Sequence, residues 1–195
     1  MVVKKTKRRI RRMCFDTESN CFKHYSEPWG DIPYMRAFIA RKQDLAFHAG
    51  VICDRTHGRY LLFSSAELEA FIAHLSEADE LVSFNARRWD LLILEAVCGR
   101  DRIERMLWSK PHHDLRGWRS GSLEDVAHSV LGVSQEDWRG IRERRFAELD
   151  AQRRLDADKI ANAWRDTHFT SELFKRYLAE GSGSRSFPGG SQEDR

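Results

Sequence analysis

The sequence predicts an α/β domain in which a mixed β-sheet is covered by helices. Three observations carry that expectation. Two apolar runs, 46–53 and 59–63, flank the turn Arg55-Thr56-His57-Gly58, the pattern of an antiparallel hairpin. After it, helical periodicity alternates with a short apolar strand at 80–84. The last third, 135–178, is dense in Glu, Arg and Ala and reads as helix throughout. Three strands, a helix, a strand and then helices make a sheet with helices on its faces.

The elements follow in order. A first strand is expected at 9–17, where a basic arm runs into Met13-Cys14-Phe15. Residues 19–36 hold Asn20, Ser26, Pro28, Gly30 and Pro33 and read as loop or irregular insertion. Ser64-Ser65-Ala66-Glu67 is a helix start, serine capping and glutamate in the first turn. Leu68, Phe71, Ile72 and Leu75 then recur at helical spacing. A helix over 89–98 ends at Gly99, and another opens at Ser122-Leu123-Glu124-Asp125 and closes at Leu131-Gly132. From Gly181 the chain turns to Gly, Ser and Pro without core-forming residues, a flexible tail over 181–195.

Composition narrows the class. The 195 residues suffice for one domain with a substantial core, and 41% of them are apolar. No apolar run approaches the roughly 20 residues a membrane span needs, so no membrane partner is expected. The basic start leads into Met13-Cys14-Phe15-Asp16 rather than an apolar signal core, so a cytoplasmic location is expected. Cys14, Cys21, Cys53 and Cys98 are scattered, with no Cys-x-x-Cys pair, and are expected as buried thiols rather than disulfides. Net charge is +3, but Lys4, Lys5, Lys7, Arg8, Arg9, Arg11 and Arg12 concentrate positive charge in an arm, 1–12. Such an arm attracts phosphates, and it serves equally as a solubilising flank.

Three acidic segments carry the chemistry. In Phe15-Asp16-Thr17-Glu18 the two acids are two apart on a strand and project from one side. Carboxylates so placed repel unless a cation or protons compensate, although two solvated acids at a strand end are common. In the second segment a strand ends in Asn85 and a helix starts near Trp89 with Asp90 in its first turn. Asp90 alone could complement the helix dipole, worth ~0.3–1 kcal/mol. Both Asn85 and Asp90, however, lie at the carboxyl edge of the sheet, where open α/β sheets bind ligands. The third acid, Asp166, sits in a helix whose Leu173, Phe174 and Tyr177 can pack on the sheet. Its plain role would be a surface pair one turn away, worth ~0.2–0.5 kcal/mol.

In order and spacing these segments resemble the DEDD superfamily of 3′–5′ exonucleases, the proofreading-type nucleases of ribonuclease-H-like fold. Asp16-x-Glu18 resembles the first motif. Asn85-x-x-x-x-Asp90 resembles the second, in the longer spacing of branches related to family B polymerase exonucleases and helicase-associated nucleases. Asp166-x-x-x-Thr170-x-x-Leu173-Phe174 resembles the third, and Ser122 to Gly132 the helix between motifs two and three. The likeness covers about 10–178, in a domain placed at 9–178. It implies that Asp16, Glu18, Asp90 and Asp166 hold two Mg²⁺ or Mn²⁺ ions, hard cations suited to oxygen ligands. Two such ions ~3.5–4 Å apart activate the attacking water and stabilise the departing 3′-oxygen. Thr17 and Asn85 are then the candidate substrate contacts. The implied substrate is DNA or RNA with a free 3′ end, and a polymerase or helicase is a candidate partner.

The pattern departs at one place. Where branches of the family carry a tyrosine four residues, or a histidine five residues, before the last aspartate, this chain has Asn162 and Ala161. Asn162 can hydrogen-bond a water but cannot act as a general base. Two further functions therefore stand beside exonuclease: a weak or inactive nucleic-acid-binding accessory module, and an endonuclease on the same fold. His168 lies two residues past Asp166 and is expected as a surface or satisfied histidine. His112 and His113 face opposite ways in an extended segment, and Asp114 is expected to support structure. Phe22, Trp29, Trp108 and Trp118 could stack on bases, but large aromatics are more often core.

Overall fold

The structure, a computed structural model, describes residues 9–20, 31–41, 45–148 and 156–181. The N-terminal residues 1–8, the tail from 182, Cys21, Phe22 and Trp29 lie outside the described residues.

Strand β1 (Arg12–Ser19) is the middle of a five-stranded sheet. It pairs antiparallel with β2 (Phe47–Asp54), which pairs antiparallel with β3 (Arg59–Ser64). On its other edge β1 pairs parallel with β4 (Glu80–Ser83), and β4 parallel with β5 (His112–Asp114). The order β3-β2-β1-β4-β5 is the expected mixed sheet, with the hairpin where the turn at 55–58 places it.

The helices are α1 (Ile32–Ala40), α2 (Leu68–Ser76), α3 (Asp90–Cys98), α4 (Arg100–Ile103), α5 (Leu123–Leu131), α6 (Gln135–Glu148) and α7 (Ala157–Ala179). Alternation along β1 splits the core into two layers. Met13 and Phe15 pack with Phe71, Ile72, Leu91 and Leu94 of α2 and α3. Cys14 points the other way and packs with Val82, Val126, Leu173 and Phe174, beneath α5 and α7. Asp16 and Glu18 continue the Cys14 side and therefore face α7. At Gly50, opposite Thr17, a Cβ would sit 2.6 Å from the Phe71 ring, so only glycine lets α2 pack this close to the sheet.

Several starts and stops are where side-chain chemistry places them. Ser64 and Glu67 form a capping box that leads through a 3₁₀ turn into α2. Ser122 and Asp125 do the same for α5, which closes on left-handed Gly132.

Other expectations are corrected. Part of the segment read as loop is helix α1, with Asp31 as N-cap and a proline in the first turn, where its missing N–H costs nothing. The first strand begins at Arg12 rather than 9, and the helix read over 89–98 begins at Asp90. Arg100–Ile103 continues into a wider π turn, Glu104–Trp108, that sequence periodicity does not indicate. Two arginines of the basic arm belong to the fold. Arg11 is paired with Asp54 at 2.9 Å and Glu77 at 2.5 Å, and Arg12 with Glu80 at 2.5 Å. Among the described residues no helix is long and apolar enough to cross a membrane.

Candidate functional site

The acids meet where β1, the start of α3 and the middle of α7 come together. Asp16 and Glu18 stand opposite Val51 and Ala49 of β2 and point at α7. Asp166 lies seven residues after Lys159, two turns on, so both share the α7 face turned to β1. Asp90, the first residue of α3, is 6% exposed and reaches β1 directly. Its Oδ1 accepts the Thr17 backbone N–H at 2.8 Å and the Thr17 hydroxyl at 2.6 Å. Thr17 thus serves to anchor Asp90 to the strand.

The electrostatics show four carboxylates with too little compensation. Burial holds the Asp16 carboxyl well above the usual range, and the charges of Asp90, Asp166 and Glu18 push it further. Glu18 is pushed up to about 7 by burial, although Lys159 pulls the other way. Asp90 is pushed up to about 6 by burial, against the lowering effect of its two Thr17 hydrogen bonds. Asp166 is raised by burial, partly offset by Arg165.

Basic side chains from α7 cover part of this charge. Lys159 Nζ lies 3.3 Å from Glu18 Oε2, and Arg165 Nε lies 2.8 Å from Asp166 Oδ1. The donor set suits a hard divalent cation, since clustered carboxylates that raise one another's pKa gain most from an added positive charge. Among the described residues no three His, Cys, Asp or Glu side chains stand together as ligands of one ion. Carboxylates held by Lys159, Arg165 and Thr17 would have to turn from those partners to share a metal.

The remaining candidates are placed as follows. Asn162, on α7, has its Oδ1 taken by Arg142 Nε of α6 at 2.7 Å, and Arg142 also pairs with Asp158. Asn85 closes β4 in the left-handed conformation, φ 68°, and donates its N–H to Asp114 Oδ1 at 2.6 Å. Asp114 also accepts the N–H groups of Arg87 and Arg116, each at 3.2 Å, so it supports the two loops beside the site. His168 is satisfied by the Tyr60 hydroxyl at 3.1 Å and stacks on Trp164. His112 and His113 do face opposite layers, one to Ser83 and Phe15, the other to Phe174 and Tyr177. Trp108 lies under the guanidiniums of Arg36 and Arg87, and Trp118 packs against Tyr177. Cys14 and Cys53 are buried free thiols, and Cys98 is a half-buried one.

The motifs do not point to Lys159, Arg165 or Arg142. A signal for Lys159 is present in its two-turn spacing from Asp166, but nothing in the sequence says which acid it meets.

The fold has a solved counterpart. The family B DNA polymerase from the hyperthermophilic archaeon Pyrobaculum calidifontis superposes with a TM-score of 0.55 over 87% of this chain, at 16% identity. The chain spans a quarter of that polymerase's length. At this identity the likeness shows the fold: an α/β architecture with a mixed five-stranded sheet, consistent with the ribonuclease-H-like arrangement. No family model matches the chain, and no curated protein sequence does.

Proposed function

We propose that this chain is a metal-dependent nuclease of the DEDD type that removes nucleotides from the 3′ end of DNA or RNA. The observation that carries this reading is the convergence of Asp16 with Glu18, Asp90 and Asp166, each in the order of the resembled motifs and raising the Asp16 pKa together. Perturbed carboxylates gathered at the carboxyl edge of a sheet are candidates for catalysis rather than for stability. The fold likeness to a DNA polymerase supports a nucleic-acid substrate.

In this reading Asp16, Glu18, Asp90 and Asp166 would hold Mg²⁺ or Mn²⁺, which when bound supplies charge stabilisation for phosphodiester hydrolysis. The chain's own residues set the rest. Thr17 holds Asp90 in place through two hydrogen bonds, which keeps the α3 start docked on β1. Lys159 and Arg165 balance Glu18 and Asp166, and would be free to meet substrate phosphates were those two acids to hold an ion instead. Neither Asn162 nor Ala161 can take a proton at neutral pH, so neither serves as a general base for the attacking water.

End-labelled oligonucleotides incubated with Mg²⁺ or Mn²⁺ test this. Stepwise 3′ shortening that disappears in Asp16→Asn is expected; folded wild-type protein that leaves every substrate intact sinks the reading.

A second reading rests on a different observation. Arg142 occupies the amide oxygen of Asn162, and no three acids are set as ligands of one ion among the described residues. Both favour a nucleic-acid-binding accessory module without cleavage. Salt-sensitive binding that survives joint replacement of Asp16 and Glu18 by alanine, with no cut product at any metal concentration, would select it.

A further inference from the structure

Beside the acids, a cavity of about 370 Å³ opens beyond the carboxyl ends of β4 and β5. Arg87, Arg88 and Arg116 line it, against the single carboxylate of Asp114. That carboxylate is already occupied by three backbone N–H groups. No carboxylate among the described residues pairs with the guanidinium of Arg87 or Arg88. The buried Nε of Arg87 has no hydrogen-bond partner. His112 adds no positive charge, because burial pushes its imidazole down to about 3, with Arg87 beside it acting in the same direction.

We propose that this cavity is a phosphate site that grips a nucleotide unit of the substrate. The proposal rests on the nucleic-acid reading above and adds the residues that hold the strand.

The Arg87 and Arg88 guanidiniums repel one another across the cavity unless an anion enters, and a lone buried donor carries an unmet hydrogen bond. Arginine is suited to this, because its planar fork offers paired N–H donors in the geometry of phosphate oxygens. Trp108 orients Arg87 for such a contact, with the guanidinium carbon 5.6 Å from the centre of the indole ring. Stacking covers the face of the fork and leaves its edge for hydrogen bonds. Arg36, on the same ring, is instead committed to Glu95, at 2.7 Å.

Backbone geometry supports the same use. Asn85 holds the left-handed conformation with its N–H fixed on Asp114, and five residues later the same segment delivers Asp90 to the acids. The segment that lines the cavity thus runs directly into the acid at the start of α3. The volume falls in the range of small-molecule sites, enough for more than a bare ion.

The test follows the Arg87 Nε–H by nitrogen-15 NMR in the full chain without divalent ions. Inorganic phosphate, thymidine 5′-monophosphate and a short oligothymidylate are titrated separately, with acetate at matched ionic strength as control. Saturable movement of the Arg87 signal by the phosphate ligands and not by acetate is expected. Arg87→Gln and Arg88→Gln should each weaken oligonucleotide binding by about tenfold or more, and Arg139→Gln, exposed on α6, by less than about twofold. Arg87→Lys keeps a positive charge but loses Nε. It should bind weakly too, which separates lost recognition from lost folding.

An Arg87 signal unmoved at saturation, or Arg87→Gln binding as the wild type does, overturns the site. If mononucleotide binds through Arg87 but oligonucleotide does not bind at all, the phosphate site stands and the nuclease reading falls. If oligonucleotide is cut or bound equally well with and without Arg87, the nuclease reading stands and the phosphate site falls.

Discussion

Carboxylates wholly or partly buried lie at opposite ends of the β1–β2 pair, and the chain treats the two ends in opposite ways. At one end Asp54 is fully buried, yet it is held below the usual carboxylate range. Burial would raise it, but His57 Nδ1 at 2.8 Å, its backbone N–H and the Arg11 guanidinium more than offset that cost. At the other end Asp16, Glu18, Asp90 and Asp166 share two cations from α7 and are all raised. The first cluster ties the chain before β1 to the end of β2. The second stores unfavourable charge that folding alone does not require. Acids provided with in-chain donors are held in their charged form; acids gathered without enough of them are raised.

Five measurements can break or sharpen that contrast. Asp16→Asn should lower hydrolysis by about a thousandfold, roughly 4 kcal/mol in the barrier. It should leave the melting temperature at neutral pH equal or higher, because it removes a repelling charge; a large loss of stability would place Asp16 with Asp54 instead. Asp54→Asn should do the reverse, costing about 3 kcal/mol of stability by removing the buried charge that Arg11 and His57 meet. Denaturant midpoints read that loss, while activity per folded molecule should hold.

Mg²⁺ comes next. At about a hundredfold excess over its Kd it should stabilise the wild type by ~2.7 kcal/mol, seen as a higher melting temperature. Asp166→Asn should lose most of that gain, and Asp54 should play no part in it.

The pH dependence gives opposite signs for the two clusters. Glu18 and Asp90 are raised, so the stability tied to their protonated forms is fully present below the ordinary carboxylate pKa and is lost as pH rises through about 6 to 7. Metal-free protein should therefore melt lower at pH about 8 than at about 5, and Asp16→Asn should flatten that fall. Asp54 is depressed, so its contribution is present above the ordinary value and lost only as pH falls through its lower folded value. A thermal melt series across acid pH separates the two limbs. The smallest effect belongs to an exposed pair: Arg100→Ala, which breaks the 2.8 Å contact with Glu104, should change stability by less than about 0.5 kcal/mol.

Much of this is legible in the sequence, and the boundary falls at particular residues. The hairpin, the capping boxes at Ser64 and Ser122, the closing Gly132 and the alternation that turns Asp16 and Glu18 to one side all follow from local rules. Helix α1 escapes those rules because Pro33 reads as a breaker when its place in the first turn is unknown. Strand β5, three residues long, exists only through its pairing with β4 and has no periodicity to show.

By itself the sequence determined the order of the acids and the elements that carry them. Those depend on residue type and on spacings of two to four residues, which backbone geometry converts directly into faces. Only the tertiary structure decided which charges meet. Lys159 reaches Glu18 across 141 residues, Thr17 reaches Asp90 across 73 and Arg11 reaches Asp54 across 43. Whether an acid ends as a strut or as part of a site depends on how many donors such contacts bring to it, and no local pattern encodes that number. For Asp16 and Glu18 the contacts brought too few, and that shortage makes this end of the sheet the place to look for function.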